Sequence, residues 1–142
     1  MIKKRWIVVI ICIVALTSSL ATVNGNPKGL EDEMLVISPQ MLYISSVSSS
    51  LHMEQGAVII ICSLRGYRHL TDKVRISSYL QQNIGGRWTT IKHFTETFNS
   101  HSGTMFETHT VEQGYSYRAM TFFYAYGGHD VESQVVISNI VQ

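Results

Sequence analysis

The sequence predicts an all-β protein, a single antiparallel β-sandwich of seven strands occupying residues 41–142. Three observations carry that prediction. Runs of alternating apolar and polar residues recur along the chain, each closed by a turn signal, at the spacing of about 8–12 residues that suits an all-β sandwich. No stretch beyond residue 40 holds apolar residues at helical spacing. The run V-E-Q-G-Y-S-Y-R-A-M-T-F-F-Y-A, from Val111 to Ala125, has the layout of a tyrosine corner. There Gly114 lets the chain turn sharply after Val111, and Tyr117 folds back so that its hydroxyl can bond a backbone group upstream. That corner makes the expected sandwich immunoglobulin-like or fibronectin-III-like. At 142 residues the chain has room for one such domain.

The N-terminus reads as a signal peptide over residues 1–25. Lys3, Lys4 and Arg5 precede the apolar run of residues 6–16, and a small, polar stretch follows it. Ser19 and Ala21 fit cleavage after Ala21, and Val23 and Gly25 fit cleavage after Gly25. The apolar run is far shorter than the roughly 20 residues that span a bilayer, so no membrane span is expected in the mature form. Lipidation at Cys12 is not expected, because bulky Ile11 stands where a small side chain is needed. Removal of the leader takes Cys12 with it and leaves Cys62 alone, which excludes an intramolecular disulfide. Residues 26–40 read as a flexible arm, containing both prolines and the acidic triplet Glu31-Asp32-Glu33, with a short apolar patch at residues 34–37.

Residues 41–48 are expected to form the first strand, with a polar turn over residues 50–56. Residues 57–64 form a second strand, so rich in β-branched side chains that both of its faces are expected to be buried. Residues 66–72 turn the chain. The third strand, residues 73–83, alternates cleanly: Val74, Ile76, Ser78 and Leu80 share one face, and Arg75, Ser77, Tyr79 and Gln81 the other. Gly85-Gly86 makes a tight hairpin into a fourth strand over residues 87–96. A fifth strand over residues 104–111 leads to the corner, the sixth begins at Tyr117, and Gly127-Gly128 turns the chain into a last strand at about residues 131–140.

The segments Y-I-S-S-V-S-S-S-L, Y-L-Q-Q-N-I-G-G-R-W, G-Y-S-Y-R-A and A-Y-G-G occur in this order between Tyr43 and the C-terminus. Together they resemble a family of small secreted proteins of Bacillus- and Clostridium-like Gram-positive bacteria, known as a domain of unknown function. The resemblance implies secretion and a sandwich fold, and it carries no catalytic residues. The chain departs from it in the sixth strand, where Met120, Phe122 and Tyr124 occupy outward positions expected to be polar.

Charge and motifs argue against several classes of function. Without Lys3, Lys4 and Arg5 the chain keeps eight basic side chains against ten acidic ones. Arg65, Arg68, Lys73 and Arg75 are interrupted by Asp72 and spread across a turn, so nucleic-acid binding has no electrostatic support. The serines lack the G-x-S-x-G context of a nucleophile elbow. Cys62 lies in the most apolar strand, where a buried thiol is inert. His93, His101 and His109 with Glu107 lack the close spacing of a zinc motif, so no metal or other cofactor is expected. The pairs Glu107/Glu112 and Asp130/Glu132 read as solvated surface carboxylates.

The aromatic content of the sixth strand is the most informative signal. If Tyr117 points inward, Ala119, Thr121, Phe123 and Ala125 follow it into the core by alternation. Arg118, Met120, Phe122, Tyr124 and Tyr126 then face outward, beside Tyr79 of the third strand. The expected binding residues are therefore Tyr79, Met120, Phe122, Tyr124 and Tyr126, since monomers rarely expose a large contiguous apolar patch. Cover by the arm or by a second copy is the competing account. The expected function is a secreted, non-enzymatic interaction module whose partner is a protein, a cell-wall polymer or another copy of itself. The alternatives are a secreted metal-dependent hydrolase using Glu107, His109 and His93, and a small toxin or bacteriocin.

Overall fold

A computed structural model describes residues 41–142. The expected signal peptide, both cleavage positions and the arm over residues 26–40 lie outside the described residues. Seven strands follow one another: β1 (Ile44–Glu54), β2 (Ala57–Gly66), β3 (Lys73–Ile84), β4 (Arg87–Phe98), β5 (Ser102–Thr110), β6 (Tyr117–Gly127) and β7 (Asp130–Ile137). They form two sheets, ordered β1-β2-β5 and β4-β3-β6-β7, with every neighbouring pair antiparallel. The sheets pack face to face as a β-sandwich.

The first hairpin differs from the sequence expectation. The strand does not end at residue 48; it continues through the serines to Glu54, and the turn is only Gln55-Gly56. Both turn residues have positive φ, 48° and 77°, as a type I′ two-residue hairpin turn requires. Serine is a weak strand former, but β2 pairs with Ser46, Ser48, Ser49 and Ser50 in continuous register, and that pairing overrides the propensity. Ser49 lies opposite Cys62 and Leu51 opposite Ile60. The expectation that β2 is buried on both faces is also corrected. Val58, Ile60, Cys62 and Leu64 are buried, whereas Ile59 and Ile61 on the other face are only half-buried. The β1-β2-β5 sheet is closed over on one side only. β7 stops at Ile137, short of residue 140. Beyond it Ser138 still bonds the Ala119 backbone, and Val141 makes an isolated bridge with Tyr117.

The core lies between the sheets, built from inward residues such as Leu51, Ile60, Leu64, Val74, Ile76, Leu80, Met105 and Phe123. At its centre is a knot of small polar groups. The Thr121 hydroxyl lies 3.0 Å from Ser49 Oγ, 2.9 Å from Ser78 Oγ and 3.4 Å from Cys62 Sγ. Each hydroxyl there has a partner, which removes the cost of burying it. Cys62 is free and fully buried, as the sequence expects.

The two lateral openings are closed differently. On one side the Glu132 carboxylate of β7 accepts the Tyr43 and Ile44 N–H groups at 2.8 and 2.7 Å. Further along, Asn139 accepts from Leu51 N and donates to Leu51 O, both at 2.9 Å. Side-chain clasps thus stitch β1 to the β7 edge where no ladder forms. On the other side, edge strand β5 places Glu107 opposite Ile60 and His109 opposite Val58, on its inward side. Inward polar and charged residues of this kind discourage edge-to-edge pairing.

The corner forms as expected. Gly114 has φ of 87°, and Tyr117 is buried with its hydroxyl donating to Glu112 O at 2.6 Å. The amide of Gln82 donates in turn to the Tyr117 hydroxyl at 3.3 Å. Burial raises the pKa of the Tyr117 phenol above the ordinary tyrosine value, and the Glu112 carboxylate adds to the shift.

Candidate functional site

Strand alternation places the aromatic residues as the sequence expects. Along β6, Tyr117, Ala119, Thr121, Phe123 and Ala125 are buried, while Arg118, Met120, Phe122, Tyr124 and Tyr126 are half-buried on the outer face. β3 pairs with β6, which sets Tyr79 opposite Met120, Ser77 opposite Phe122 and Arg75 opposite Tyr124. Directly opposed residues share a face. The ring of Tyr79 meets Phe122 edge-on at 5.7 Å and stacks on His93 at 4.3 Å and 11°. All five expected binding residues therefore belong to one surface.

That surface is wider than the sequence reading made it. β7 lays Val131, Val135 and Ile137 opposite Tyr126, Phe122 and Met120. These three are 56%, 50% and 52% exposed, so the apolar band reaches solvent along the whole of β7. Their alternation was present in D-V-E-S-Q-V-V-I, but nothing in the sequence says which face of the last strand looks outward.

Cations are seated on the rings. The Lys73 ammonium lies 4.4 Å above Tyr126, the Arg75 guanidinium 4.4 Å above Tyr124, and that of Arg118 4.3 Å above Trp88. Each is a cation–π contact, attractive because the ring face is electron-rich. Arg118 is held further by Gln81, whose side-chain oxygen accepts its Nε–H at 2.9 Å. The Arg75 Nε–H is buried with no acceptor among the described residues.

The carboxylates of this sheet lie on its other face. Glu96 pairs with Ile76, Asp130 with Gly127 and Glu132 with Ala125, all at inward positions. Residues 41–142 carry seven Lys or Arg and seven Asp or Glu. The strand positions that share the outer face with Tyr79 and Phe122 nevertheless carry three cations, Lys73, Arg75 and Arg118, and no carboxylate. The four basic residues the sequence treats as one interrupted group are split. Lys73 and Arg75 join this face, whereas Arg65 and Arg68 line a separate opening of about 490 Å³ with His101 at the end of β2.

The residues of the hydrolase alternative are not brought together. His93 stands on the outer face of β4 against Tyr79, while Glu107 and His109 are on the inward side of β5 in the other sheet. His109 packs edge-on against Phe94. Among the described residues no three His, Cys, Asp or Glu side chains are grouped so as to hold a metal ion. One serine does meet a histidine: Ser77 Oγ lies 2.7 Å from His93 Nε2, and Thr95 Oγ1 lies 2.9 Å from the same nitrogen. Ser77 is paired on both sides, with Thr95 and Phe122, so the surrounding N–H groups are spent in ladders. Those backbone N–H groups are thus not left free to form an oxyanion hole around Ser77.

No family model matches the chain, and no curated protein is significantly similar to it.

Proposed function

We propose that this chain is a secreted, non-enzymatic binding module of immunoglobulin- or fibronectin-III-like type, and that the outer face of β4-β3-β6-β7 is its recognition surface. The observation that carries the reading is the contiguous band of Tyr79, Met120, Phe122, Tyr124 and Tyr126 running into half-exposed Val131, Val135 and Ile137. A sandwich has no folding reason to place so much apolar surface outside its core, and patches of this kind mark interaction sites. The leader-like N-terminus supports secretion, and the strand order with its tyrosine corner supports the immunoglobulin- or fibronectin-III-like assignment.

The test is a pair of neighbouring substitutions. Phe123→Ser empties a core position and leaves a hydroxyl there, which should cost about 3–5 kcal/mol. Phe122→Ser removes a half-buried ring and its edge contact with Tyr79, at about 1–2 kcal/mol. That exceeds the near-zero cost expected of a fully exposed ring. Purified wild-type protein should capture a partner from culture supernatant or cell wall, and the folded Phe122→Ser variant should not. Equal, large destabilisation by both substitutions would mean that the face is covered within the monomer, and the binding reading would fail.

A further inference from the structure

We propose that the partner taken by this face is an acidic protein segment, which sets carboxylates against Lys73, Arg75 and Arg118 and apolar side chains against the β7 band. The inference rests on the reading of the face as a recognition surface and adds the chemistry of what it recognises.

The sign of the charge is the first argument. Charge complementarity selects partners by making wrong pairings costly. In a domain with balanced charges, every carboxylate of the four-stranded sheet stands on the inward face, and the outer face holds cations alone. A carboxylate arriving there meets no like charge.

The second argument is that the cations are already positioned. Lys73, Arg75 and Arg118 rest on Tyr126, Tyr124 and Trp88. Long, flexible side chains normally lose rotamer freedom on binding, and side chains already held lose less of it. Guanidinium groups also offer paired donors that match a carboxylate. Lys73 and Arg75 are two residues apart on β3, roughly 7 Å. That is the spacing of alternate side chains on an extended segment, so acidic residues two apart would match them.

The same observations weigh against the other partners. A twofold dimer through this face would oppose the patch to itself, bringing six cations together without a carboxylate between them. A phosphate-bearing wall polymer would answer the cations but has nothing to place on Val131, Val135 and Ile137. A bare sugar would stack on open ring faces, and three of the aromatic rings already hold a cation. Strand addition along β7 is opposed by the Glu132 and Asn139 clasps, which tie that side to β1. The segment therefore lies across the face.

The experiment measures fluorescence anisotropy of three labelled probes with the full chain: a peptide of alternating Glu and Val, its Lys and Val counterpart, and poly(glycerol phosphate). The Glu peptide should bind at least about tenfold tighter than the Lys peptide and weaken as NaCl is raised. Lys73→Ser and Arg75→Ser should each weaken it about three- to tenfold with the melting transition retained, and Val135→Ser should weaken it independently of salt. Salt dependence of the wild type reads the charge term even if a variant folds poorly. Equal binding of the two peptides, or binding of neither, overturns the proposal. Tighter binding of poly(glycerol phosphate) than of the Glu peptide replaces it with an anionic polymer, and a sedimenting dimer abolished by Phe122→Ser replaces it with self-association. If the Phe122→Ser capture result stands while the peptides fail, the recognition face survives and only its acidic partner is lost.

Discussion

Replacing Tyr117 by Phe removes a single oxygen and tests the element on which the strand assignment rests. Two hydrogen bonds go with it, the 2.6 Å bond donated to Glu112 O and the 3.3 Å bond accepted from Gln82 Nε2. They are not equivalent. Glu112 is exposed, so its carbonyl regains a water partner, whereas Gln82 is buried and its amide is left without an acceptor. A neutral hydrogen bond is worth about 1 kcal/mol net and an orphaned buried donor costs about 1–3 kcal/mol, so the loss should be about 2 kcal/mol. For a domain near a hundred residues that corresponds to a fall in Tm of roughly 8 °C or more. The sheet pairing should survive, because the ring still fills its place in the core. A second readout is independent of the first. The folded chain holds the Tyr117 proton more tightly than the unfolded chain does, because burial raises its pKa above 10. Stability from this source is therefore intact below pH 10 and is lost as the pH climbs through the raised value. Wild-type protein should lose stability above pH 10, and Tyr117→Phe should lose less of it over that range. Urea denaturation at pH 7 and at pH 10.5 measures both effects. Unchanged midpoints at pH 7 would refute the corner and with it the alternation from Tyr117 that puts Phe122 and Tyr124 outside.

Three further substitutions or probes test other parts of the fold. Asn139→Ala removes both bonds to Leu51 and should cost about 2 kcal/mol, with early loss of amide protection along β1 in hydrogen exchange. Gly127→Ala places a methyl group against the Leu70 carbonyl oxygen and the Tyr43 ring; backbone cannot yield there, and destabilisation of about 2–4 kcal/mol should appear in the melting curve. Cys62 should resist a thiol reagent in native protein and react only on unfolding, so rapid labelling of the folded chain would show that β2 is more open than its full burial implies.

The elements legible in the sequence are those set by local chemistry. Glycines at hairpins and at the corner mark where the chain must adopt positive φ, and alternation along β3 and β6 assigns inward and outward residues once Tyr117 is oriented. That was sufficient to find Tyr79, Phe122 and Tyr124 on one face. That residues 41–142 hold a single cysteine, Cys62, was likewise plain from the sequence. What required the tertiary structure was everything that depends on a neighbour distant in sequence. The serines of β1 become strand because β2 pairs with them. The outward side of β7 is decided by the Glu132 and Asn139 clasps to β1, some ninety residues away in sequence. Glu107 and His93, near enough in the chain to suggest a shared site, fall on different sheets. The segregation of Lys73, Arg75 and Arg118 from every carboxylate of their sheet emerges only when strands are laid side by side in register. Alternation within one strand assigns two faces, and only pairing between strands decides which charges share them.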